Sequence, residues 1–228
     1  MRFRAVIFDL GGVVFPSPFA AFRAYEDAHG LPHRFISDVV VHGGDHGAWS
    51  RFERGELDLH DFAVAFEAEC ESAGGTVVIA DLFDSMTGGE GGAVPEMVSA
   101  IETIRAHGIR TAALTNNWIA ADGDTHVSGD TPMATELAGL FDTIVESARV
   151  GLRKPDPRIY ELVCDRLGVS PAESVFLDDL GTNLKSARAM GMTTIKVDDP
   201  VGAVAELSEV LGIELLHVAS DPCGGTPR

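Results

Sequence analysis

The strongest constraint on this chain is a pattern that recurs along it: a short, mostly apolar run that stops abruptly at acidic, hydroxyl or amide side chains. Ala5-Val6-Ile7-Phe8 breaks into Asp9-Leu10-Gly11-Gly12, and Ile109 to Leu114 breaks into Thr115-Asn116-Asn117. Ser174-Val175-Phe176-Leu177 breaks into Asp178-Asp179. Runs of this length without strict alternation are what strands look like in a parallel sheet covered on both faces. In open sheets of this kind, ligands bind beyond the carboxyl ends of the strands. The polar clusters are therefore expected on one rim.

The segments between these runs support a parallel sheet. Pro95 to His107 reads as a helix closed by Gly108, Pro157 to Leu167 as one closed by Gly168, and Leu184 to Met190 as one closed by Gly191. Thr143-Ile144-Val145 and Thr193 to Val197 read as further strands, with a last helix over Val201 to Leu211. Alternation of this kind predicts an α/β fold, a Rossmann-like parallel sheet with helices on both faces. Residues 120–132 are polar and read as a loop.

Between the first strand and this alternation the pattern changes. Phe19, Phe22 and Tyr25, then Trp49 and Phe52, then Phe62 and Phe66 recur at helical spacing, with no convincing strand among them. Pro16-Ser17-Pro18 stands in front of this block, and Gly88-Gly89-Glu90-Gly91-Gly92 stands behind it. Such clusters mark turns and linkers. The predicted organisation is a core of residues 1–15 and 93–219, an all-helical cap of residues 16–92 on two hinges, and a tail over 220–228.

A formal charge of −18 opposes non-specific nucleic-acid binding and binding to anionic membrane surfaces. A small anionic substrate is still compatible, because a metal ion and a lysine can reverse the field inside a pocket. No run approaches the length of a membrane span. Arg2 and Arg4 are followed by only four apolar residues before Asp9, too few for a signal peptide. Cys70, Cys164 and Cys223 are odd in number and widely spaced, which predicts reduced thiols in a cytoplasmic protein.

Four segments resemble the motifs of the haloacid dehalogenase superfamily. They are Ile7-Phe8-Asp9-Leu10-Gly11-Gly12-Val13, Leu114-Thr115-Asn116-Asn117, Lys154-Pro155-Asp156-Pro157, and Phe176-Leu177-Asp178-Asp179-Leu180-Gly181-Thr182-Asn183. Each is weak alone; order and spacing together are strong. The resemblance extends to members with a type-one helical cap. It is greatest for the phosphatase-like domains at the N-terminus of soluble epoxide hydrolase and before some acyl-CoA dehydrogenases.

The resemblance implies a hydrolase acting on a small phosphorylated substrate. Asp9 would be the nucleophile, forming an aspartyl-phosphate. Thr115 and Asn116 would hydrogen-bond the phosphoryl oxygens, and Lys154 would neutralise the nucleophile and the developing charge. Mg²⁺ would be held by Asp9, Asp179 and the carbonyl of Gly11, with Asp178 and Asn183 supporting. The chain departs from the family at Gly11, where the phosphatases usually carry a second aspartate as general acid and base. Such a group contributes about 10²- to 10⁴-fold in rate, roughly 3–5 kcal/mol of barrier.

Other readings of the same residues stand beside these. Asp9 after a strand is also an ordinary turn residue, and Lys154 before a proline an ordinary loop lysine. A 2-haloacid dehalogenase would use the same aspartate without magnesium, which leaves Asp178-Asp179 unexplained. A weakly catalytic binding module is the reading that Gly11 favours. In the cap, Trp49, Arg51 and Arg54 surround Phe52, either as substrate selectors or as parts of an amphipathic helix with Trp49 and Phe52 inward. His42 and His46 read as surface histidines.

Overall fold

The computed structural model describes residues 2–87, 92–120, 123–125, 132–137 and 139–215 of the chain. Residues 88–91 of the expected second hinge, part of the 120–132 loop, and the expected tail with Cys223 lie outside the described residues.

Five strands form one parallel sheet: β1 (Ala5–Phe8), β2 (Arg110–Thr115), β3 (Thr143–Glu146), β4 (Ser174–Asp178) and β5 (Thr193–Lys196). Their order across the sheet is β3-β2-β1-β4-β5, the Rossmann-like arrangement expected. The order reverses between β1 and β4, whose registers pair Ile7 with Phe176 and Phe8 with Leu177. The Asp9 N–H extends this pairing by donating to the Leu177 carbonyl at 2.9 Å. Asp9 and the Asp178-Asp179 pair thus leave the sheet side by side at its switch point, where such folds bind ligands.

Side-chain alternation explains the two covered faces. Val6, Phe8, Val175 and Leu177 face one hydrophobic cluster, built with Met97, Ala100, Ile101 and Ile104 of α6 (Pro95–Ala106) and Ala203, Val204 and Leu207 of α11 (Pro200–Leu211). Ala5, Ile7 and Phe176 face the other, with Ile159, Tyr160 and Val163 of α9 (Pro157–Leu167) and Leu184 and Ala187 of α10 (Gly181–Ala189). Two short helices, α7 (Pro132–Leu137) and α8 (Ser147–Val150), were not evident from periodicity, since neither is long enough to show a stripe. Helix α10 begins three residues before the predicted Leu184. Its first turn, Gly181-Thr182-Asn183, is polar and escapes an apolar-periodicity reading.

Residues 19–87 form five α-helices and no strand: α1 (Phe19–His29), α2 (Phe35–Gly43), α3 (Ala48–Glu53), α4 (Leu59–Ser72) and α5 (Ile79–Thr87). This helical insertion has a hydrophobic cluster of its own, including Phe22, Ile36, Trp49, Phe52, Phe62 and Phe66. Its aromatic rings are stacked closely, with Phe52 and Phe62 centroids 4.1 Å apart. Glu26 is 1% exposed, and its two carboxylate oxygens accept the Arg34 and Ile36 N–H groups, both at 2.9 Å. That buried acid fixes the α1–α2 turn, where Arg34 has a φ of 68°. No helix among the described residues is long and apolar enough to cross a membrane.

Candidate active site

Three strand ends and one loop converge on the expected rim. Asp9 follows β1, Thr115 ends β2, and Asp178 ends β4 with Asp179 next to it. Oxygen atoms of Asp9, Asp178 and Asp179 all lie within 4.8 Å of one another. Asp9 is 7% exposed, and its Oδ1 accepts the Leu10 N–H at 2.7 Å. The tight turn beyond it is closed by the Leu10 carbonyl, which accepts from Val14 and Phe15.

Lys154 lies at the centre of this group. Its side chain is 1% exposed, and Nζ lies 2.7 Å from Asp9 Oδ2 and 2.8 Å from Asp178 Oδ2. A lysine that stays charged leaves water to this extent only when carboxylates replace its hydration. Burial alone would lower its pKa; Asp178 and Asp9 reverse that and hold it above the ordinary lysine value. The solvated-loop reading of Lys154 is excluded by this burial.

The backbone of Lys154 is clamped from the end of β2. Asn116 Oδ1 accepts the Lys154 N–H at 2.9 Å, and Asn116 Nδ2 donates to the Lys154 carbonyl at 3.1 Å. The Asn116 side chain is thus engaged with the lysine's peptide groups. Thr115 is 3% exposed, and its hydroxyl makes only a 3.5 Å contact with the Asn116 carbonyl, at the outer limit of a hydrogen bond.

Asp178 is completely buried and saturated with donors. Besides Lys154, its carboxylate accepts from Asn183 Nδ2 at 3.0 Å on both oxygens and from the Leu180 N–H at 2.8 Å. Asn183 is anchored in turn by the Tyr160 hydroxyl, which donates to its carbonyl at 3.0 Å. Asp179 is less buried and lacks such a set. Burial, then the adjacent Asp178, push its pKa up to about 6. Burial also raises the Asp9 carboxyl well above its ordinary range; Lys154 opposes the rise, and Asp178 and Asp179 add to it.

Three carboxylates facing one ammonium are short of positive charge. The donor set is all oxygen, which suits a hard divalent cation such as Mg²⁺ rather than a soft metal. Asp9 and Asp179, with carboxylates not saturated as that of Asp178 is, fit such an ion. Among the described residues this is the one cluster of three acidic, His or Cys side chains placed to hold a metal. His42 and His46 belong to no such cluster.

Two glycines in the first motif differ. Gly12 has φ +79°, and a Cβ there would meet Asp179 Cγ at 2.6 Å. A side chain at that position would push Asp179 away. Gly11 has no positive φ, and its Cβ would meet only Pro18 Cδ, at 3.5 Å, an ordinary contact. Close approach to Asp179 dictates Gly12; nothing in the backbone dictates Gly11.

A cleft of about 870 Å³ opens over the rim, with Asp9, Thr115, Lys154 and Asp179 on its floor. The helical insertion supplies much of the opposite wall, including Phe19, Phe22, Val40, Trp49 and Met86. Trp49 is both a cleft wall and part of the insertion's own cluster, and Phe52 is 1% exposed within that cluster. Arg51 and Arg54 are not on the cleft; both turn to Glu56, at 3.6 and 2.6 Å. Sequence reading placed Asn117 in the second motif but gave it no role; it is completely buried and ties β2 to Ser147 and Glu146, at 2.9 and 2.8 Å. Sequence reading missed Trp118, Glu53 and Arg153 on the cleft wall; a Trp three residues past Thr115 was the available signal for the first.

A parallel α/β core with a helical insertion over an acidic, lysine-bearing rim defines a Rossmann-like class with a capped site at its strand ends. Comparison with known proteins gives the family. The model for haloacid dehalogenase-like hydrolases matches residues 3–191. The chain is 41% identical over 215 residues to acyl-CoA dehydrogenase family member 10 of Mus musculus, covering 93% of this chain and 20% of that protein. It is 36% identical over 231 residues to bifunctional epoxide hydrolase 2 of Sus scrofa, covering 97% of this chain and 41% of that protein. It thus spans less than half the length of either relative. With the sesquiterpene phosphatase astK of Aspergillus oryzae it shares 30% identity over 92% of this chain and 97% of that protein.

Among solved structures, a HAD-like family hydrolase of Porphyromonas gingivalis superposes with a TM-score of 0.64 at 20% identity, covering 94% of this chain and all of that one. A HAD family enzyme of Bacteroides thetaiotaomicron, in complex with magnesium and inorganic phosphate, superposes at 0.55 with 17% identity, covering 85% and 93%. The chain belongs to the haloacid dehalogenase-like hydrolase family.

Proposed function

We propose that this protein is a magnesium-dependent phosphatase in which Asp9 attacks the phosphorus of an organic phosphate monoester. The convergence of Asp9, Lys154 and Asp179 at the floor of the cleft carries this reading. Lys154 opposes the burial that disfavours the ionised, nucleophilic form of Asp9, and it faces the charge that develops on the phosphoryl oxygens. The Thr115 hydroxyl donates to one of those oxygens. As the Asp9–phosphorus bond forms, the bond to the leaving oxygen breaks, and water then cleaves the aspartyl-phosphate to release phosphate. Mg²⁺, held by Asp9, Asp179 and the Gly11 carbonyl, would supply further charge neutralisation at the phosphoryl group. Asp178 and Asn183 support the set from behind.

Residues 16–92 act in this reading as a cap over a core of residues 1–15 and 93–219. The cap's wall mixes apolar side chains such as Phe22, Trp49 and Met86 with charged ones such as Arg23 and Arg34, which suits a substrate with an apolar organic part beside its phosphate, in keeping with the name of the fungal relative. Gly11 supplies no proton to the leaving group, so water must. Good leaving groups are favoured accordingly. The thiols of Cys70 and Cys164, pushed by burial up to about 12 and about 11, stay inert, which suits a reducing cytoplasm.

A rapid-mix assay with an aryl phosphate tests the reading. A burst of phenol that requires magnesium supports it. Metal-independent halide release from a 2-haloacid would favour a dehalogenase, and neither activity a binding module.

A further inference from the structure

Among the described residues, two ion pairs join the helical insertion to the core, and both use Arg153. Its Nε lies 2.7 Å from Glu53 Oε2, and its Nη1 lies 4.0 Å from Asp45 Oδ1. The closer pair is well shielded, with side chains 18% and 11% exposed. It therefore escapes most of the screening that weakens surface pairs. The other oxygen of Glu53 accepts the Trp49 indole N–H at 3.1 Å. One carboxylate thus connects the insertion's aromatic cluster to the residue immediately before Lys154.

Two further contacts join the same surfaces. The Trp118 ring, three residues past Thr115, stacks on Phe83 of the insertion with centroids 5.2 Å apart. Gly55, at φ +67°, approaches α8 so closely that a Cβ there would lie 3.3 Å from the Ala148 carbonyl carbon, with its oxygen nearer still. The insertion therefore rests on the two segments that carry Thr115 and Lys154.

We propose that Glu53 and Arg153 are positioning residues: a clasp that holds the helical insertion closed and, through the Arg153–Lys154 peptide, fixes the Lys154 ammonium against Asp9. Asn116 secures the lysine's backbone from the β2 side, and the clasp secures it from the insertion side. Neither residue is required to touch the reacting phosphoryl group. The clasp predicts that loosening the insertion misplaces Lys154, a displacement that is costly where charges are aligned for reaction.

The catalytic consequence rests on the phosphatase reading, whereas the clasp itself can be tested without turnover. The chain's two tryptophans, Trp49 and Trp118, both line the cleft beside the pair. Glu53→Gln, Arg153→Gln and the double variant would be compared in the full chain. The readouts are acrylamide quenching of tryptophan fluorescence, labelling of buried Lys154 by an amine-directed reagent, melting temperature, and kcat and KM for an aryl phosphate. Each single variant should melt as a folded protein, quench more readily and label faster at Lys154. Its kcat should fall on the order of 10-fold, with a smaller change in KM. The double variant should be no worse than either single one, because all three break the same contact. Arg153→Lys, which keeps the charge, should recover part of the loss. Unchanged quenching and labelling in folded single variants would overturn the clasp, as would effects that simply add. If the wild type hydrolyses no aryl phosphate, the phosphatase reading fails, and quenching and labelling still decide the clasp.

Discussion

The ammonium of Lys154 lies 2.7 Å from the carboxylate of Asp9, with both groups almost removed from water. Asp178 is the lysine's other partner, at 2.8 Å. Removing the cation leaves two buried carboxylates facing each other, a situation that costs about 3–5 kcal/mol. Lys154→Met should therefore lower the metal-free melting temperature strongly and abolish turnover. Urea unfolding with and without magnesium measures this. A variant as stable as the wild type would mean the lysine is not balancing those charges.

Asp9→Asn is the opposite experiment. It removes one of three crowded carboxylates while keeping the shape. Metal-free stability should be retained or raised, although activity is lost. Melts of the two proteins side by side check the sign, and a large loss of stability in the asparagine variant would contradict the excess of negative charge inferred here.

Asp179 has its pKa raised to about 6 against an ordinary value near 3.9. A carboxyl raised in the folded state adds stability that is complete below the unfolded pKa and is lost as pH rises through the folded one. The metal-free protein should lose that contribution between about pH 4 and pH 6. Magnesium needs the ionised carboxylate, so its stabilising effect should be larger at pH 7.5 than at pH 5. Equal magnesium-induced shifts at both pH values would count against Asp179 as a ligand. Asp156→Ala is the control: Asp156 caps α9 by accepting the Arg158 N–H at 2.9 Å. Its loss should cost about 1 kcal/mol without weakening metal binding.

The first-motif glycines give a paired prediction. Gly11→Asp adds a carboxyl where a Cβ meets only an ordinary contact, at 3.5 Å from Pro18. It should raise turnover of alkyl phosphates more than of aryl phosphates, since only poor leaving groups need the proton. Gly12→Ala should instead displace Asp179 and weaken magnesium binding. Steady-state kinetics on both substrate types, with metal titrations, distinguishes the two. A Gly11→Asp protein that folds, binds metal and gains nothing on alkyl phosphates would show that the missing carboxyl is not limiting.

Much of this site was legible in the sequence because its parts are local. Asp9, Thr115 and Asp178-Asp179 each follow a strand whose apolar run is visible, so topology alone puts them on one rim. What was hidden depends on distant partners. The clamp of Asn116 on the Lys154 backbone joins residues 38 apart, and the Glu53–Arg153 pair joins residues 100 apart. No spacing rule encodes either contact. The family resemblance implies Asn116 as a partner of phosphoryl oxygens; that its side-chain amide holds the lysine's peptide groups is visible only in the fold. The necessity of Gly12 was equally invisible, since it comes from the approach of Asp179 from another strand.

The central claim is that Asp9 becomes covalently phosphorylated. Acid quenching within the burst phase, after mixing with an aryl phosphate and magnesium, should trap an acid-stable, base-labile phosphoryl group. Peptide mapping by mass spectrometry should place it on Asp9, and it should be absent from Asp9→Asn. Magnesium-dependent turnover with no such adduct, or an adduct that persists in Asp9→Asn, would contradict the account.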